Sequence, residues 1–184
     1  EWHAEAERRK LPNLRTTPEA LKSLDTEKAA KLFEKYQVLS PIELKSRYTI
    51  KLEKYIKDIE IEARALHSMV SSMVLPAAIR FQGEVATSIA KAEKVLGGVD
   101  FTAQKNLLKR IATLINGIEG STAQLKSRLE SNGHHHDHQK AAEFCCSEIK
   151  GTMGEIRQQV DELEVLVADD LGPMPKFWEM LFVS

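Results

Sequence analysis

Residues 40–98 read SPIELKSRYTIKLEKYIKDIEIEARALHSMVSSMVLPAAIRFQGEVATSIAKAEKVLGG, and this stretch decides the fold. Ser40-Pro41-Ile42-Glu43 is typical of a helix start, because Ser40 and Glu43 can form a capping box around a proline at the first helical position. Gly97-Gly98 is typical of a helix end. Between them, apolar residues recur at the steps of three and four that mark one face of a helix. This stripe is Leu44, Tyr48, Leu52, Tyr55, Ile59, Ala63, Leu66, Val70, Met73, Ala77, Phe81, Val85, Ile89, Ala92 and Leu96. The stretch predicts one helix of about 56 residues and about 84 Å.

Pro76 lies inside this stripe. A proline there removes one backbone hydrogen-bond donor and crowds the carbonyl group four residues earlier. No cluster of turn-forming residues flanks Pro76, so the sequence predicts a kink in the helix and not its end.

Two further amphipathic stretches predict a second helix over about 102–130 and a third over about 137–168. Asp100 or Thr102 is the expected cap of the second helix. Three stripes joined by two short loops predict an all-α fold, an antiparallel three-helix bundle with one very long kinked helix. Glycines interrupt both shorter helices near the middle, and we expect the two sets to face each other across a close helix contact. They are Gly117, Gly120, Gly151 and Gly154.

Residues 1–40 predict a leader of short helices, and residues 41–184 predict the long-helix bundle. The leader begins in a helical pattern that Leu11-Pro12-Asn13-Leu14 interrupts. Thr17 is the expected cap of a turn of helix over about 19–23. Asp25 or Thr26 is expected to cap a helix over about 27–36, and its apolar contacts are expected to come from Ala30, Leu32 and Phe33.

Composition limits the classes of function. The chain has 184 residues, 42% of them hydrophobic and 29% charged, with a net charge of -1. A nucleic-acid binder needs a basic face to displace counterions, so this balance argues against one. No run of about 18 apolar residues is present to span a membrane, and no signal peptide is visible. Because the chain begins at Glu1 within a helical pattern and without Met, we expect it to be part of a longer protein. Its two cysteines are adjacent and rarely bridge in that arrangement, so a reducing, cytoplasmic compartment is the expected location.

The sharpest candidate for chemistry is His134-His135-His136-Asp137-His138. Imidazole is the commonest metal ligand, and His134 and His138 are spaced to share a helix face. The cluster nevertheless follows Asn132-Gly133, where a loop is expected, and no distant set of ligands accompanies it. Three interpretations stay open. The most favoured is a solvated loop, the next is adventitious binding of nickel or zinc, and the least favoured is a functional site.

The other candidates have ordinary structural explanations. Adjacent Cys145 and Cys146 are interpreted as small, partly buried helix residues, with a redox or metal role as the alternative. Paired carboxylates are interpreted as solvated faces, although the pair at a helix C-terminus suggests a cationic partner. His67, Tyr48 and Tyr55 are interpreted as members or neighbours of the stripe. The sequence therefore predicts no catalytic residue, no cofactor-binding residue and no metal ligand. The carboxylates are Glu60 and Glu62; Asp161, Glu162 and Glu164; and Asp169 and Asp170.

Residues 160–184 contain the end of a helix, a Pro-x-Pro sequence that stops it, and an apolar cluster whose surface is too large to remain exposed to water. We expect this tail to dock onto the bundle. The cluster is Phe177, Trp178, Met180, Leu181 and Phe182.

The tail resembles the extreme C-terminus of type III glutamine synthetases, an acidic-Leu-x-Pro-x-Pro-aromatic-x-x-Met-Leu-Phe run. The similarity covers most of the chain unevenly, since the middle, about 97–150, is similar only in being helical. Gly172 departs from the family, which usually carries Trp before the first proline. The remaining similar segments are Glu1-Trp2 through Leu11-Pro12-Asn13-Leu14, Lys31-Leu32-Phe33-Glu34-Lys35-Tyr36, Val38-Leu39-Ser40, Glu43-Leu44, Ser46-Arg47-Tyr48, Glu62-Ala63 and Leu75-Pro76-Ala77.

The resemblance implies a parent enzyme that joins ammonia to glutamate with ATP and Mg²⁺ in a stacked-ring oligomer. It places the substrate, nucleotide and metal sites in an upstream catalytic domain, so no such residue is expected here. The chain would then be an inactive C-terminal domain for structure and assembly, with the catalytic domain of the same chain and neighbouring subunits as partners. A stand-alone helical scaffold or interaction module is the main alternative. A metal-sensing or redox bundle using the histidines and Cys145-Cys146 is the third.

Overall fold

The computed structural model describes residues 1–132 and 137–172. Helices make up 82% of these residues and no strand lies among them, which confirms the all-α class. None of the helices formed by these residues is long and apolar enough to cross a membrane. The elements are α1 Trp2–Arg8, α2 Thr17–Lys22, α3 Glu27–Lys35, α4 Pro41–Met69, a π turn Val70–Val74, α5 Leu75–Val95, α6 Thr102–Asn132, α7 His138–Phe144, a π turn Cys145–Ile149, α8 Lys150–Glu164 and a 3-10 turn Asp169–Leu171.

Contacts within the chain divide it into two compact units. The first unit comprises Glu1–Ile61 and Glu130–Lys150, and the second comprises Glu62–Leu129 and the described residues from Gly151 onward. The antiparallel order of three helices and the division at residue 40 stay predictions. The docked tail and His134–His136 lie outside the described residues.

The predicted start and length of the long helix are confirmed. The Ser40 hydroxyl accepts the Glu43 N–H at 3.3 Å, and the Glu43 carboxylate accepts the Ser40 N–H at 2.8 Å, so two backbone donors at the helix start are satisfied reciprocally. From there α4, the π turn and α5 form one helix of 55 residues. It ends at Val95, just ahead of Gly98, whose φ of 89° is a conformation that favours glycine.

A π turn, not a break, precedes Pro76. The N–H of Leu75 bonds to the carbonyl of Val70, five residues back, so this turn is wider than an α-helical one. The wide turn changes which side chains point inward. The spacing had assigned Met73 to the buried stripe, but Met73 is 38% exposed and its neighbour Val74 is buried instead. The stripe was also wrong at Leu96, which is 51% exposed beyond the helix end.

The leader forms the expected short helices with one change of cap. Thr16, not Thr17, is the N-cap of α2, because its hydroxyl accepts the Glu19 N–H and the Glu19 carboxylate accepts the Thr16 N–H. Thr26 caps α3 as predicted. The expected contact of Leu32 is wrong, since this side chain is 53% exposed.

The predicted glycine contact between the shorter helices is also wrong. A Cβ atom at Gly120, Gly151 or Gly154 would meet nothing within 4 Å, so these positions face open space. Gly117 alone is approached, by the side chain of Gln159 at 3.5 Å. The helices tolerate these residues because the stripes beside them are buried, with Ile118 and Ile156 both at 0% exposure.

Each unit has its own apolar interior. In the first unit the long helix supplies Leu44, Tyr48, Leu52, Ile56 and Ile59, and the helix after Asp137 supplies Ala141, Ala142, Cys145 and Ile149. In the second unit the buried residues are Ala63, Val70, Val74, Ala77, Ala78, Ile89, Phe101, Ile111, Ile115, Ile118, Thr122, Leu125, Leu129, Thr152, Ile156, Val160 and Leu163.

Candidate functional site

A cluster of polar side chains in the first unit joins three separate parts of the chain. Its centre is Gln139, whose side-chain oxygen accepts the Tyr48 hydroxyl at 2.8 Å. The side-chain nitrogen of Gln139 donates to the Pro18 carbonyl at 3.3 Å and to the Glu143 carboxylate at 2.7 Å. Lys22 completes the set by pairing with Glu143 at 2.5 Å. We call these five residues the Gln139 cluster, and they fasten α2 to the long helix and to α7.

Local structure presents each of these groups. Asp137 caps α7 by accepting the Gln139 N–H at 2.9 Å, which fixes Gln139 in the first turn of the helix. Pro18 is fully buried in the first turn of α2. Tyr48 is 6% exposed on the inward face of α4, so its ring packs in the interior while its hydroxyl reaches the edge.

A second ion pair reinforces this junction. The Lys45 ammonium contacts both Asp25 carboxylate oxygens, at 2.8 and 2.9 Å, and also lies 4.9 Å from the centre of the Tyr48 ring. It therefore ties the segment between α2 and α3 to the long helix. The exposed lysine contributes modestly, because solvent screens such pairs.

The titration of these groups follows from their partners. Hydrogen bonding to Lys22 and then to Gln139 lowers the pKa of Glu143, and the same contact raises the pKa of Lys22. Asp25 raises the pKa of Lys45. Burial raises the pKa of the Tyr48 hydroxyl, which therefore stays protonated and remains a donor to Gln139.

The histidine cluster is described only at His138. Its Nε2 atom lies 3.4 Å from the Glu53 carboxylate, at the surface. Among the residues at 1–132 and 137–172, no three His, Cys, Asp or Glu side chains come together as a metal site would require. Whether His134–His136 bind metal stays an open prediction.

Cys145 is the most deeply buried of the candidate groups. Burial, with a smaller effect from Glu60, raises the pKa of its thiol to about 11, so it is protonated at neutral pH and a poor nucleophile. The buried Asn132 amide donates to Glu60 at 3.1 Å and to the Cys145 sulfur at 3.3 Å. Cys146 is half-buried, and both cysteines are free thiols. The interpretation as small, partly buried helix residues holds for Cys146, and Cys145 is fully buried.

The remaining candidates are dispersed. His67 and Tyr55 are half-buried at the edge of the long-helix stripe, as expected. Asp161 pairs with Arg157 at 2.7 Å within α8, and Glu60 pairs with Lys57 at 3.5 Å within α4. Asp161 therefore makes a local helix contact, whereas Glu60 makes a local contact and also accepts from Asn132.

The arrangement in the first unit is suited to holding segments together. Gln139 and Glu143 were missed from the sequence, because a glutamine and a glutamate four residues apart on a helix surface carry no motif. The available signal was the cap at Asp137, which places Gln139 in the first helical turn.

The sequence matches the family model described as the glutamine synthetase C-terminal domain over residues 1–93, half of the chain. This chain belongs to the glutamine synthetase C-terminal domain family. The resemblance to type III enzymes is also confirmed, since the whole chain is 34% identical over 191 residues to a Type-3 glutamine synthetase of Dictyostelium discoideum. It is 24% identical over 188 residues to a glutamine synthetase of Bacteroides fragilis strain YCH46, again along the whole chain. It is 25% identical over 182 residues, 99% of the chain, to a glutamine synthetase of Butyrivibrio fibrisolvens.

The domain spans about a quarter of the length of these relatives, covering 25%, 26% and 26% of them. The family match includes the leader and almost all of the long helix, and thus Pro18, Lys22 and Tyr48 of the Gln139 cluster. Gln139 and Glu143 lie beyond that match, within the part aligned with the relatives. Within the first unit, the cluster of this glutamine synthetase C-terminal domain therefore joins residues inside the family match to residues beyond it.

Proposed function

We propose that this domain is a structural and assembly part of a glutamine synthetase, and that it performs no chemical step itself. The enzyme it serves would ligate ammonia to glutamate with hydrolysis of ATP. The observation that carries the proposal is the end-to-end alignment of the chain with about a quarter of the length of three glutamine synthetases. A non-catalytic role fits this C-terminal domain family.

The polar chemistry of the first unit supports a structural role. The polar side chains of the Gln139 cluster form hydrogen bonds with one another across three segments of the chain. Gln139, for example, bonds to Tyr48, to Pro18 and to Glu143. A side chain engaged in this way stabilises the fold, because breaking its bonds would leave partly buried groups unpaired.

The resemblance implies that the whole enzyme uses ATP and Mg²⁺. Mg²⁺ needs carboxylate oxygens that converge and remain available to the ion. In the first unit Asp25 is engaged by Lys45, Glu143 by Lys22, and Glu53 approaches His138. These carboxylates are engaged elsewhere, and no three His, Cys, Asp or Glu side chains converge among the described residues, so we propose that Mg²⁺ and ATP bind to the remainder of the enzyme.

The proposed partners are the catalytic part of the same polypeptide and neighbouring subunits of a homo-oligomer, in the cytoplasm. The exposed apolar side chains support an additional partner, since Ile42, Val95 and Val165 are all more than 80% exposed. A scaffold that acts without a synthetase is the alternative, and it makes the opposite prediction about activity.

The experiment compares this 184-residue chain with the complete polypeptide encoded by the reading frame that contains it. Glutamine formation from glutamate, ammonia and ATP is measured on both, with light scattering to give their masses. We expect activity and a large assembly from the complete polypeptide, and no activity from the 184-residue chain. A complete polypeptide that forms no glutamine would contradict the proposal and favour the scaffold.

A further inference from the structure

The outer face of α4 carries a shallow apolar groove near its N-terminal end. Ile42 and Ile50 are 82% and 59% exposed, although they lie on a well-formed helix whose opposite face is buried. The small side chain of Ser46 lies between them and leaves the groove open. Single exposed apolar residues are ordinary, but two isoleucines that flank an open apolar groove form a continuous surface that a partner can cover.

The residues of the groove have the spacing that receives another helix. Four residues at i, i+3, i+4 and i+7 form a hole that accepts one apolar side chain of a facing helix. Two such holes follow one another and share two members, which suits a helix with two apolar side chains three or four residues apart. The first hole is formed by Glu43, Ser46, Arg47 and Ile50, and the second by Arg47, Ile50, Lys51 and Lys54.

The charge of the groove is positive and only partly neutralised. Lys54 pairs with Asp58 at 2.8 Å, and the Glu43 carboxylate is held by Ser40 in the helix cap. Arg47 and Lys51 have no ion pair within 4.0 Å among residues 1–132 and 137–172, although the charge of Arg47 contributes to lowering the pKa of Glu43. This pattern favours a partner whose apolar side chains are flanked by carboxylates.

The same charges decide between two occupants. A second copy of this chain, related by a two-fold axis through the groove, would bring Arg47 and Lys51 towards their own counterparts. That like-charge contact is unfavourable, whereas an acidic amphipathic helix complements both the holes and the cations. This domain covers about a quarter of the length of the relatives, so the remaining part of such an enzyme is long enough to supply an acidic helix.

We propose that the groove between Ile42 and Lys54 binds an acidic amphipathic helix from the catalytic part of the same glutamine synthetase. This inference rests on the proposed function, because it requires a synthetase to supply that helix. Beyond the proposed function, it names the groove on α4 as the contact surface and an acidic amphipathic helix as the segment that binds there.

The test measures solvent access at Ile50 with a cysteine reporter. Ile50→Cys is made in a Cys146→Ser background, which leaves buried Cys145 as the other thiol of the 184-residue chain, and labelling is read at residue 50 by mass spectrometry of its peptide. The rate of maleimide labelling is compared between the 184-residue chain and the complete polypeptide, with circular dichroism to verify that each is helical. We expect labelling to be about tenfold slower in the complete polypeptide, the ratio that corresponds to about 1.4 kcal/mol of protection.

Charge reversal supplies the matched control. Arg47→Glu with Lys51→Glu should restore fast labelling in the complete polypeptide, because it opposes an acidic partner. Arg80→Glu with Lys91→Glu makes the same change of charge on exposed residues of α5 and should leave the slow rate unchanged.

Each other outcome overturns the inference in a recognisable way. Equal labelling in both proteins, with glutamine formed by the complete polypeptide, refutes the groove while leaving the proposed function intact. Labelling of the 184-residue chain that slows as its concentration rises identifies a second copy as the occupant. Protection that survives reversal at Arg47 and Lys51 refutes the acidic helix. Absence of glutamine formation removes the proposed function, and this inference with it.

Discussion

Replacing Gln139 by alanine should loosen the attachment of α2 to the rest of the first unit. The change removes the acceptor for the Tyr48 hydroxyl and the donor to both Pro18 and Glu143. Two neutral hydrogen bonds contribute about 0.5–1.5 kcal/mol each, and one to a charged group about 1.5–3 kcal/mol. The low end of the sum is about 2.5 kcal/mol, and we expect slightly less than this because the site is only partly buried and water can replace some bonds. The expected loss is about 2 kcal/mol.

The free energy of unfolding of the 184-residue chain is measured by urea denaturation followed by circular dichroism, and Tm is measured by thermal unfolding. A loss of this size lowers Tm by about 4–8 °C in a protein of this length. Gln158→Ala is the matched control, because Gln158 is an exposed glutamine in α8 whose contact with Glu162 is 3.5 Å long. It should change stability by less than about 0.5 kcal/mol.

A double-mutant cycle isolates the contact at the centre of the cluster. Tyr48→Phe removes only the hydroxyl, so its cost should be smaller in the Gln139→Ala background than in the natural sequence. Strict additivity of the two changes, or a Gln139→Ala loss no larger than that of Gln158→Ala, would refute the reasoning.

Three other expectations concern burial and titration. Leu52→Ala, at 1% exposure, should cost about 2–5 kcal/mol in urea unfolding, whereas Ile42→Ala on the same helix, at 82% exposure, should change stability by less than about 0.5 kcal/mol. Cys145, with its pKa raised to about 11, should react slowly with a thiol reagent at pH 8, where about one thiol in a thousand is ionised, and Cys146→Ser should remove the fast phase of the reaction. The pKa of Glu143 is lowered in the fold, so the stability it adds is fully present above its usual pKa of 4.5 and is lost as pH falls through the folded value. The stability difference between the natural protein and Glu143→Gln should therefore shrink in acid.

Each of these expectations has a contrary result. Equal costs for Leu52→Ala and Ile42→Ala would mean that the inward face of α4 is assigned incorrectly. Two fast thiols would mean that Cys145 is accessible. A difference between the natural protein and Glu143→Gln that stays constant through the acid range would mean that its carboxylate gains nothing from its partners.

Local signals in the sequence were sufficient for most helix boundaries. The capping box of Ser40 and Glu43 and the stop before Gly98 depend on neighbouring residues, and both are found where the spacing predicts them. Thr16 was missed as a cap because Thr17 offers the same hydroxyl one residue later. The proline after Thr17 is compatible with either choice, since it occupies the first turn in both cases.

Contacts between distant segments could not be derived in the same way. The bond from Tyr48 to Gln139 joins residues 91 apart, and the bond from Gln139 to Pro18 joins residues 121 apart. A single sequence shows that Tyr48 faces inward, but it does not show which polar group meets the hydroxyl. The exposed glycines were misassigned for a related reason, because helical spacing does not specify what lies opposite Gly151 or Gly154.

The π turn at Val70–Val74 is a place where the long helix can lose one residue. Such a turn holds one more residue than the α-helical turn it replaces, so a deletion there converts it to regular helix. Ala77, Ala78 and Ile89 would then keep nearly the inward face that they have now. A deletion within the regular helix of α5 would instead rotate every later side chain by about 100°, because an α-helix has 3.6 residues per turn. A chain shortened by one residue within Val70–Val74 should therefore retain more of its stability than a chain shortened elsewhere in the long helix.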